Sequence, residues 1–202
     1  MMEIKKISIH DLKAVVKVHK DSFKDFFLTK LGDDFLLLYY DCIRKDTNAI
    51  LLGIYDENKL CGFCAATTLS RGYNKMLIKQ NLISFVLIGL KLIITKPKAL
   101  IHLFKNLNKS NPNITDNGEY AELLSIGVSD TKQGQGLGKK LMIKLESELI
   151  SKGCENLSLT TDYFNNESAV EFYKISGFTI FYDFIAYPNR KMYRMIKKLN
   201  LI

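Results

Sequence analysis

Three glycines within five residues, Gly134, Gly136 and Gly138, restrict the fold of this chain more than any other feature of its sequence. They follow the β-rich run YAELLSIGV and precede a pattern in which leucine recurs every four residues from Leu137 to Leu149. Such patterns predict a strand, a loop and an amphipathic helix in direct succession. Because glycine has no Cβ, a bound group can come close to the backbone of a loop of this kind.

The spacing of these glycines excludes two common nucleotide-binding loops. A dinucleotide-binding loop needs glycine at its sixth position, where this sequence has Lys139 or Leu141. A Walker loop needs glycine five residues before Gly138, where this sequence has Gln133. The remaining pattern is Q-x-x-G-x-G, whose backbone N–H groups and following helix end can hold an anion such as a pyrophosphate. Alternatively, the glycines only form a turn and cap the helix.

A second pattern follows the next predicted strand. The run NNESAVEFYKISGF places Asn166, Ala169 and Tyr173 on one face of a predicted helix, because they are three and four residues apart. Together the two patterns resemble the GNAT family of N-acetyltransferases. That family carries Q/R-x-x-G-x-G/A after its fourth strand and N-x-x-A-x-x-x-Y-x-x-x-G-F after its fifth, and both patterns are matched here.

The resemblance to the GNAT family implies an α/β (α+β) fold with a mixed central sheet flanked by helices. It runs from Ile4 to about Lys198 apart from residues 70 to 115, where we expect an extra helical insertion between strands 3 and 4. The succession of predicted elements agrees: helices and a hairpin, then a strand-helix-strand-helix unit, then a final strand pair. We expect a single domain over residues 1–202. In one departure, Asp130 stands where the family often has proline.

The resemblance also implies an N-acetyltransferase that uses acetyl-CoA as cosubstrate and needs no metal. The backbone of Ile126 and Val128 would pair with the pantetheine arm, and Asn166 would contact that arm from the facing helix. Tyr173 would protonate the departing thiolate; alternatively, it is a core aromatic of an amphipathic helix. The loop that would hold the pyrophosphate consists of Gln133, Gly134, Gln135, Gly136, Leu137, Gly138 and Lys139.

Direct attack of an amine on a thioester needs a proton acceptor for the amine but no covalent enzyme intermediate. Glu122 is the candidate base, because the period of two along YAELLSIGV predicts that it shares a strand face with Ile126 and Val128. A surface or salt-bridged glutamate is the alternative interpretation. Glu119 and Asp162 are weaker candidates.

The four cysteines include one C-x-x-C pair, Cys61 and Cys64, within the predicted strand KLCGFCAATT. A zinc site needs a second ligand pair, and residues three apart on a strand face opposite sides, so we expect buried cysteines and no metal. The N-terminus has no apolar segment with a cleavage site, which favours a cytoplasmic protein with reduced thiols.

The formal net charge of +8 belongs to one segment of the chain. Residues 70 to 115 contain no Asp or Glu and eight basic residues, which are Arg71, Lys75, Lys79, Lys91, Lys96, Lys98, Lys105 and Lys109. The apolar run from Leu82 to Ile94 is too short to span a bilayer as a helix, which takes about 20 residues. A further helix that starts at Pro97 would present on one face Leu100, Phe104 and Leu107.

This basic and apolar segment has three interpretations: a buried helical hairpin, a peripheral membrane helix, or a contact in a homodimer. Nucleic-acid binding is disfavoured, because the lysines border an apolar run and not a polar groove with stacking aromatics. The cations suit a small-molecule amine acceptor that is anionic, such as a nucleotide- or lipid-linked amino sugar. The competing function is a non-catalytic acyl-CoA-binding or membrane-associated module on the same fold.

Overall fold

A seven-stranded mixed sheet organises the computed structural model, which describes residues 2–24, 26–98, 101, 105 and 114–199. The strands are, in chain order, β1 (Met2–Lys6), β2 (Ala49–Asp56), β3 (Lys59–Thr67), β4 (Ala121–Val128), β5 (Asn156–Asp162), β6 (Thr179–Ala186) and β7 (Arg190–Lys198). Their order across the sheet is β1-β2-β3-β4-β5-β7-β6. The pair β4 and β5 is parallel, and the other neighbouring strands are antiparallel.

Helices cover both faces of the sheet. They are α1 (Leu12–Ser22), α2 (Phe27–Leu31), α3 (Asp33–Lys45), α4 (Tyr73–Gln80), α5 (Leu82–Thr95), α6 (Leu137–Ser151) and α7 (Glu167–Ile175). Alternate residues of β2 belong to different cores: Leu51 packs with the helices α1 to α5, and Leu52 packs with α6 and α7. We call these two sides the α1–α5 face and the α6–α7 face. The predicted mixed sheet flanked by helices is confirmed.

The helix predicted after the glycines is confirmed as α6. Its leucines at intervals of four are at most 2% exposed, and they are Leu137, Leu141, Leu145 and Leu149. Gly153 follows the helix end with φ +79°, and the N–H of Cys154 donates to the carbonyl of Leu149 at 3.0 Å. This left-handed ending is typical of glycine at a helix C-terminus.

The sequence patterns do not predict β1 and α2. β1 has the sequence MEIKK, and no residue in it is fully buried. Charged residues are common on edge strands, because they oppose pairing with another chain, and here they conceal the strand pattern. α2 is only five residues long, which is too short for a periodic pattern to be recognised.

An irregularity in β3 places Cys61 and Cys64 in the same core, which corrects the prediction that they face opposite sides. The pairing of β3 with β2 skips Cys61, which is therefore the extra residue of a β-bulge. Both cysteines pack in the core of the α6–α7 face, so their predicted burial is confirmed. Both thiols are free, and burial raises the pKa of Cys64 to about 12.

The helices α4 and α5 lie between β3 and β4, with their axes 95° apart. Tyr73 and Leu77 anchor α4 in the core of the α1–α5 face, whereas α5 leaves much of its apolar surface exposed. Val86, which a buried hairpin would cover, is 49% exposed, so that interpretation is wrong for α5. The predicted face of Leu100, Phe104 and Leu107 lies outside the described residues.

No single helix in the described ranges is long and apolar enough to cross a bilayer. Taken together as a bent pair, α4 and α5 have the length and the apolar composition that a membrane-spanning segment needs.

Candidate active site

A gap opens between the two parallel strands at the centre of the sheet. β4 and β5 pair only where Ala121–Leu123 lies beside Leu157–Leu159, although β4 continues to Val128 and β5 to Asp162. Beyond Leu123, β4 therefore has no strand partner on its β5 side within the described sheet. We call this opening the β4–β5 gap. Its walls carry backbone N–H and C=O groups that a strand-like ligand can use.

A β-bulge in β4 marks the start of the gap. β3 pairs with Leu123 and then with Ser125, so Leu124 is an extra residue. The bulge reverses the alternation of faces, because Leu124 and Ser125 both contact the α1–α5 face. Ile126 and Val128 consequently pack on the α6–α7 face.

Glu122 therefore faces the opposite side of the sheet from Ile126 and Val128, and the prediction that the three share a face is wrong. The period of two holds only along an unbroken strand, and the bulge interrupts it. The position of Glu122 on the α1–α5 face is seen in its effect on Tyr39 of α3. Burial first, and the charge of Glu122 second, raise the pKa of Tyr39 above its ordinary value.

Glu122 forms a buried ion pair with Arg194 of β7. The two side chains are 6% and 4% exposed, and Arg194 Nη1 donates to Glu122 Oε1 at 3.0 Å. Ser70 Oγ donates to Glu122 Oε2 at 2.6 Å, and Arg194 also donates to Ser158 Oγ at 3.3 Å. Although burial lowers the pKa of Arg194, the charge of Glu122 raises it overall, so the arginine stays charged. Glu122 is thus a salt-bridged glutamate, and its role as base stays a prediction.

The two weaker base candidates are also paired. Asp162, at the end of β5, makes a two-point contact with the guanidinium of Arg190. Glu119 accepts a hydrogen bond from Asn117 Nδ2 at 2.9 Å and lies 3.8 Å from Arg71 in an exposed pair. Neither carboxylate lies in a more protected position than Glu122, which is 5% exposed.

The glycine loop leads from the end of β4 to the N-terminus of α6. Gly134 and Gly136 have φ of +75° and +72°, which is the left-handed region that favours glycine. Nothing lies within 4 Å of the position that a Cβ would take at either residue, so the space above the loop is open. Gln133 braces the loop, because its Nε2 donates to the Val128 carbonyl at 3.1 Å and to Asp130 Oδ1 at 3.2 Å.

The first turn of α6 presents backbone N–H groups beside this open space. The first N–H of the helix with a helical acceptor is that of Lys140, which donates to the Gly136 carbonyl at 3.1 Å. The N–H groups of Leu137, Gly138 and Lys139 precede it and have no acceptor within the helix. The N-cap residue is Gly136, which has no side chain to cap them. The loop and the positive helix end therefore form a site suited to an anion.

α7 closes the other side of the loop. A Cβ at Gly138 would lie 3.5 Å from the ring of Phe172, so a larger side chain there would press on α7. At the start of α7, Asn166 Nδ2 donates to Thr161 Oγ1 at 2.6 Å and to the Asp162 carbonyl at 3.3 Å. Asn166 thereby ties α7 to the end of β5, at the β4–β5 gap.

Tyr173 lies on the α6–α7 face with its ring half-buried. It packs against Phe172 and Phe178, with ring centroids 5.3 and 6.0 Å away. Its hydroxyl makes no hydrogen bond to any described residue. Burial raises the pKa of Tyr173 to about 12, so the phenol is protonated at neutral pH and free to donate. Both the predicted acid role and the core-aromatic alternative fit these contacts.

A buried polar chain on the α1–α5 face has no signal in the sequence. His19 Nδ1 and Tyr40 Oη lie 2.6 Å apart, and Tyr40 Oη lies 3.1 Å from Ser125 Oγ, beside the β4 bulge. Burial lowers the pKa of His19 to about 4, so the ring is neutral at physiological pH. The three residues come from α1, α3 and β4, and only tertiary packing brings them together.

The family model of the acetyltransferase (GNAT) family matches residues 12–178 of this chain. The match begins with α1 and ends at Phe178, so it includes β4, the glycine loop and α7. Among curated protein sequences, none matches the chain.

Several solved structures share the fold. The ribosomal-protein-S18-alanine N-acetyltransferase of Escherichia coli superposes with a TM-score of 0.63 at 14% identity, over 100% of this chain and 96% of its own. The PaiA N-acetyltransferase of Thermoplasma acidophilum, in complex with coenzyme A, gives 0.56 at 16% identity, over 98% and 99%. YncA of Salmonella typhimurium, solved with its cofactor acetyl-CoA, gives 0.65 at 15% identity, over 99% and 95%.

Proposed function

Since this chain belongs to the GNAT acetyltransferase family, we propose that it transfers the acetyl group of acetyl-CoA to a primary amine of a small molecule. The observation that carries the proposal is the β4–β5 gap, which opens directly beside the glycine loop. An extended thioester arm can lie in the gap while its pyrophosphate rests at the helix end. The reacting carbon then lies between the two faces of the sheet.

The chain has a suitable group for each part of acetyl-CoA. The open space above Gly134 and Gly136 and the N–H groups of the first turn of α6 fit a pyrophosphate. Lys139 is exposed beside them and adds positive charge. The free edge of β4 after the bulge offers backbone groups to the pantetheine arm, at Ile126 and Val128. Asn166, at the start of α7 and tied to the end of β5, would contact the same arm.

Bound acetyl-CoA supplies the thioester carbonyl that the amine attacks. Tyr173 donates its phenolic proton to the departing sulfur, which it can do because it is protonated at neutral pH. Glu122, paired with Arg194, takes up the proton of the amine on the α1–α5 face. In this proposal the acid and the base act from opposite faces of the sheet.

We propose an anionic acceptor, such as a nucleotide- or lipid-linked amino sugar. The support is the set of eight basic residues between 70 and 115, which no Asp or Glu in that segment offsets. A thiol-release assay with acetyl-CoA tests both the acetyl transfer and the anionic nature of the acceptor. The candidate acceptors are amino sugars, nucleotide amino sugars, polyamines and peptides. Release with anionic amino sugars is expected. Release only with polyamines would overturn the acceptor class, and cofactor binding without any release would favour the non-catalytic module.

Gly136→Asp is expected to weaken acetyl-CoA binding tenfold or more, about 1.4 kcal/mol, because it places a carboxylate beside the pyrophosphate. Gly136→Asn is the matched control, since asparagine has the same shape, carries no charge and tolerates positive φ. Titration calorimetry with both folded variants measures the difference. Equal affinities of the two variants would remove the anion site from the glycine loop.

A further inference from the structure

α5 is apolar around most of its circumference, apart from a stripe of Ser84, Lys91 and Thr95, but only one side of it is covered. Its inner side consists of Phe85, Ile88 and Leu92, which pack on the α1–α5 face, where Phe85 lies 5.8 Å from the ring of Phe35. Its outer side carries apolar side chains that are 49 to 84% exposed: Leu82, Ile83, Val86, Leu87, Leu90, Ile93 and Ile94. A broad apolar helix face is normally buried, in a protein core or in lipid. The exposed outer side of α5 is therefore a candidate binding surface.

The helix that carries this outer side, α5, is attached to the rest of the domain. Asn81, at the junction with α4, donates from Nδ2 to the Leu77 carbonyl at 2.9 Å, and Leu77 is 1% exposed. Near the other end of α5, Lys91 Nζ lies 2.5 Å from Asp34 Oδ2 of α3. The exposed ion pair holds the helix only weakly, and the main attachment of α5 is its inner side, where Leu92 is 5% exposed in the core of the α1–α5 face.

Positively charged residues precede and follow the outer side of α5 in the sequence. Lys75 and Lys79 of α4 are exposed before it, and Lys96 and Lys98 are exposed after it. The nearby acidic residues at the start of α3 are already paired, since Asp34 binds Lys91 and Asp33 lies 2.7 Å from Lys20. The helices α4 and α5, which contain no Asp or Glu, are therefore net positive.

We propose that the outer side of α5 docks on the surface of an anionic lipid bilayer. The apolar side chains would enter the acyl boundary, and the flanking lysines would contact anionic headgroups. A second copy of this chain fits poorly, because its own cations would face these cations. α5, with 14 residues, is about 21 Å long and suits a helix that lies flat in the interface. The proposal does not depend on acetyl transfer.

Co-sedimentation of the full chain with vesicles tests the docking surface. One set of vesicles contains phosphatidylglycerol in phosphatidylcholine, and the other contains phosphatidylcholine alone. Binding to the anionic vesicles is expected to be about tenfold tighter or more, and to weaken as salt rises. Absence of binding to the anionic vesicles, or equal binding to both sets, would overturn the proposal.

The double variant Leu87→Asp/Leu90→Asp is expected to lose vesicle binding by about tenfold or more, because it places charge in the acyl boundary. Both leucines are exposed, at 64 and 56%, so the fold should be kept. The matched control is Ile143→Asp/Ile175→Asp, with equal charge on exposed residues of α6 and α7, and it should bind nearly as wild type.

Sedimentation velocity without vesicles completes the test. A dimer that the Leu87/Leu90 variant abolishes, in a chain that binds no vesicles, would assign the surface to a second copy.

Discussion

Arg194→Met is expected to lower the free energy of unfolding by about 3 to 5 kcal/mol, because it leaves the carboxylate of Glu122 buried without its arginine. Arg194 and Glu122 are 3% and 5% exposed, so water cannot replace the lost partner. The double variant Glu122→Met/Arg194→Met should lose clearly less, since well-packed apolar side chains often substitute for a buried ion pair. Urea unfolding of the wild type, the single variants Glu122→Met and Arg194→Met and the double variant measures the coupling between the two side chains.

The loss in Arg194→Met should also depend on pH. A buried carboxylate without a counter-charge favours its neutral form, so its pKa rises above the ordinary value. The variant therefore recovers stability as pH falls through that raised pKa, because Glu122 then takes up a proton in the folded state. Arg71→Met is the control: it removes an arginine from the exposed pair with Glu119 and should cost about 1 kcal/mol or less. An equal loss in the single and double variants, at all pH values, would show that the ion pair is not what stabilises this site.

Tyr173→Phe is expected to lower kcat about 100-fold, the effect typical of a lost general acid, while the affinity for acetyl-CoA barely changes. The change removes only a hydroxyl that makes no hydrogen bond to a described residue, so stability should be nearly unaffected. Because burial raises the pKa of Tyr173 to about 12, the wild type should show no loss of activity from this group at moderately basic pH. Steady-state kinetics with the accepted amine measures both quantities.

Tyr73→Phe is the matched control for Tyr173→Phe. Tyr73 is a buried tyrosine, 3% exposed, whereas Tyr173 is half-buried, and it lies on α4 on the opposite face of the sheet from Tyr173. Its substitution should leave kcat unchanged. If Tyr173→Phe also turns over at the wild-type rate, Tyr173 is a packing residue of α7, and another group must protonate the sulfur.

The role of Glu122 as the base can be tested separately from its ion pair with Arg194. Glu122→Gln replaces the carboxylate by an amide. It keeps the shape of the side chain but removes the charge that faces Arg194. If Glu122 accepts the proton of the amine, the acidic limb of the kcat profile should disappear in this variant. A profile of unchanged shape, together with lowered stability, would make Glu122 a structural partner of Arg194 alone.

Local patterns were sufficient for α6, its ending at Gly153 and the burial of its leucines. Each depends on helical periodicity or on the backbone freedom of glycine, which neighbouring residues determine. The glycine loop between β4 and α6 follows in the same way. The family was also recognisable from two short patterns, because each pattern lies within one loop or one helix.

Only the tertiary structure decided which way Glu122 faces. The bulge at Leu124 comes from the register between β3 and β4, so a period counted along β4 alone placed Glu122 on the wrong side. Its partner Arg194 lies 72 residues away, and the chain from His19 through Tyr40 to Ser125 joins three elements. The exposure of α5 likewise depends on how much of it α3 can cover, which composition does not reveal. The sequence alone therefore determined the local elements and the family, and packing between distant segments determined which side chains meet at the gap and which apolar face stays open.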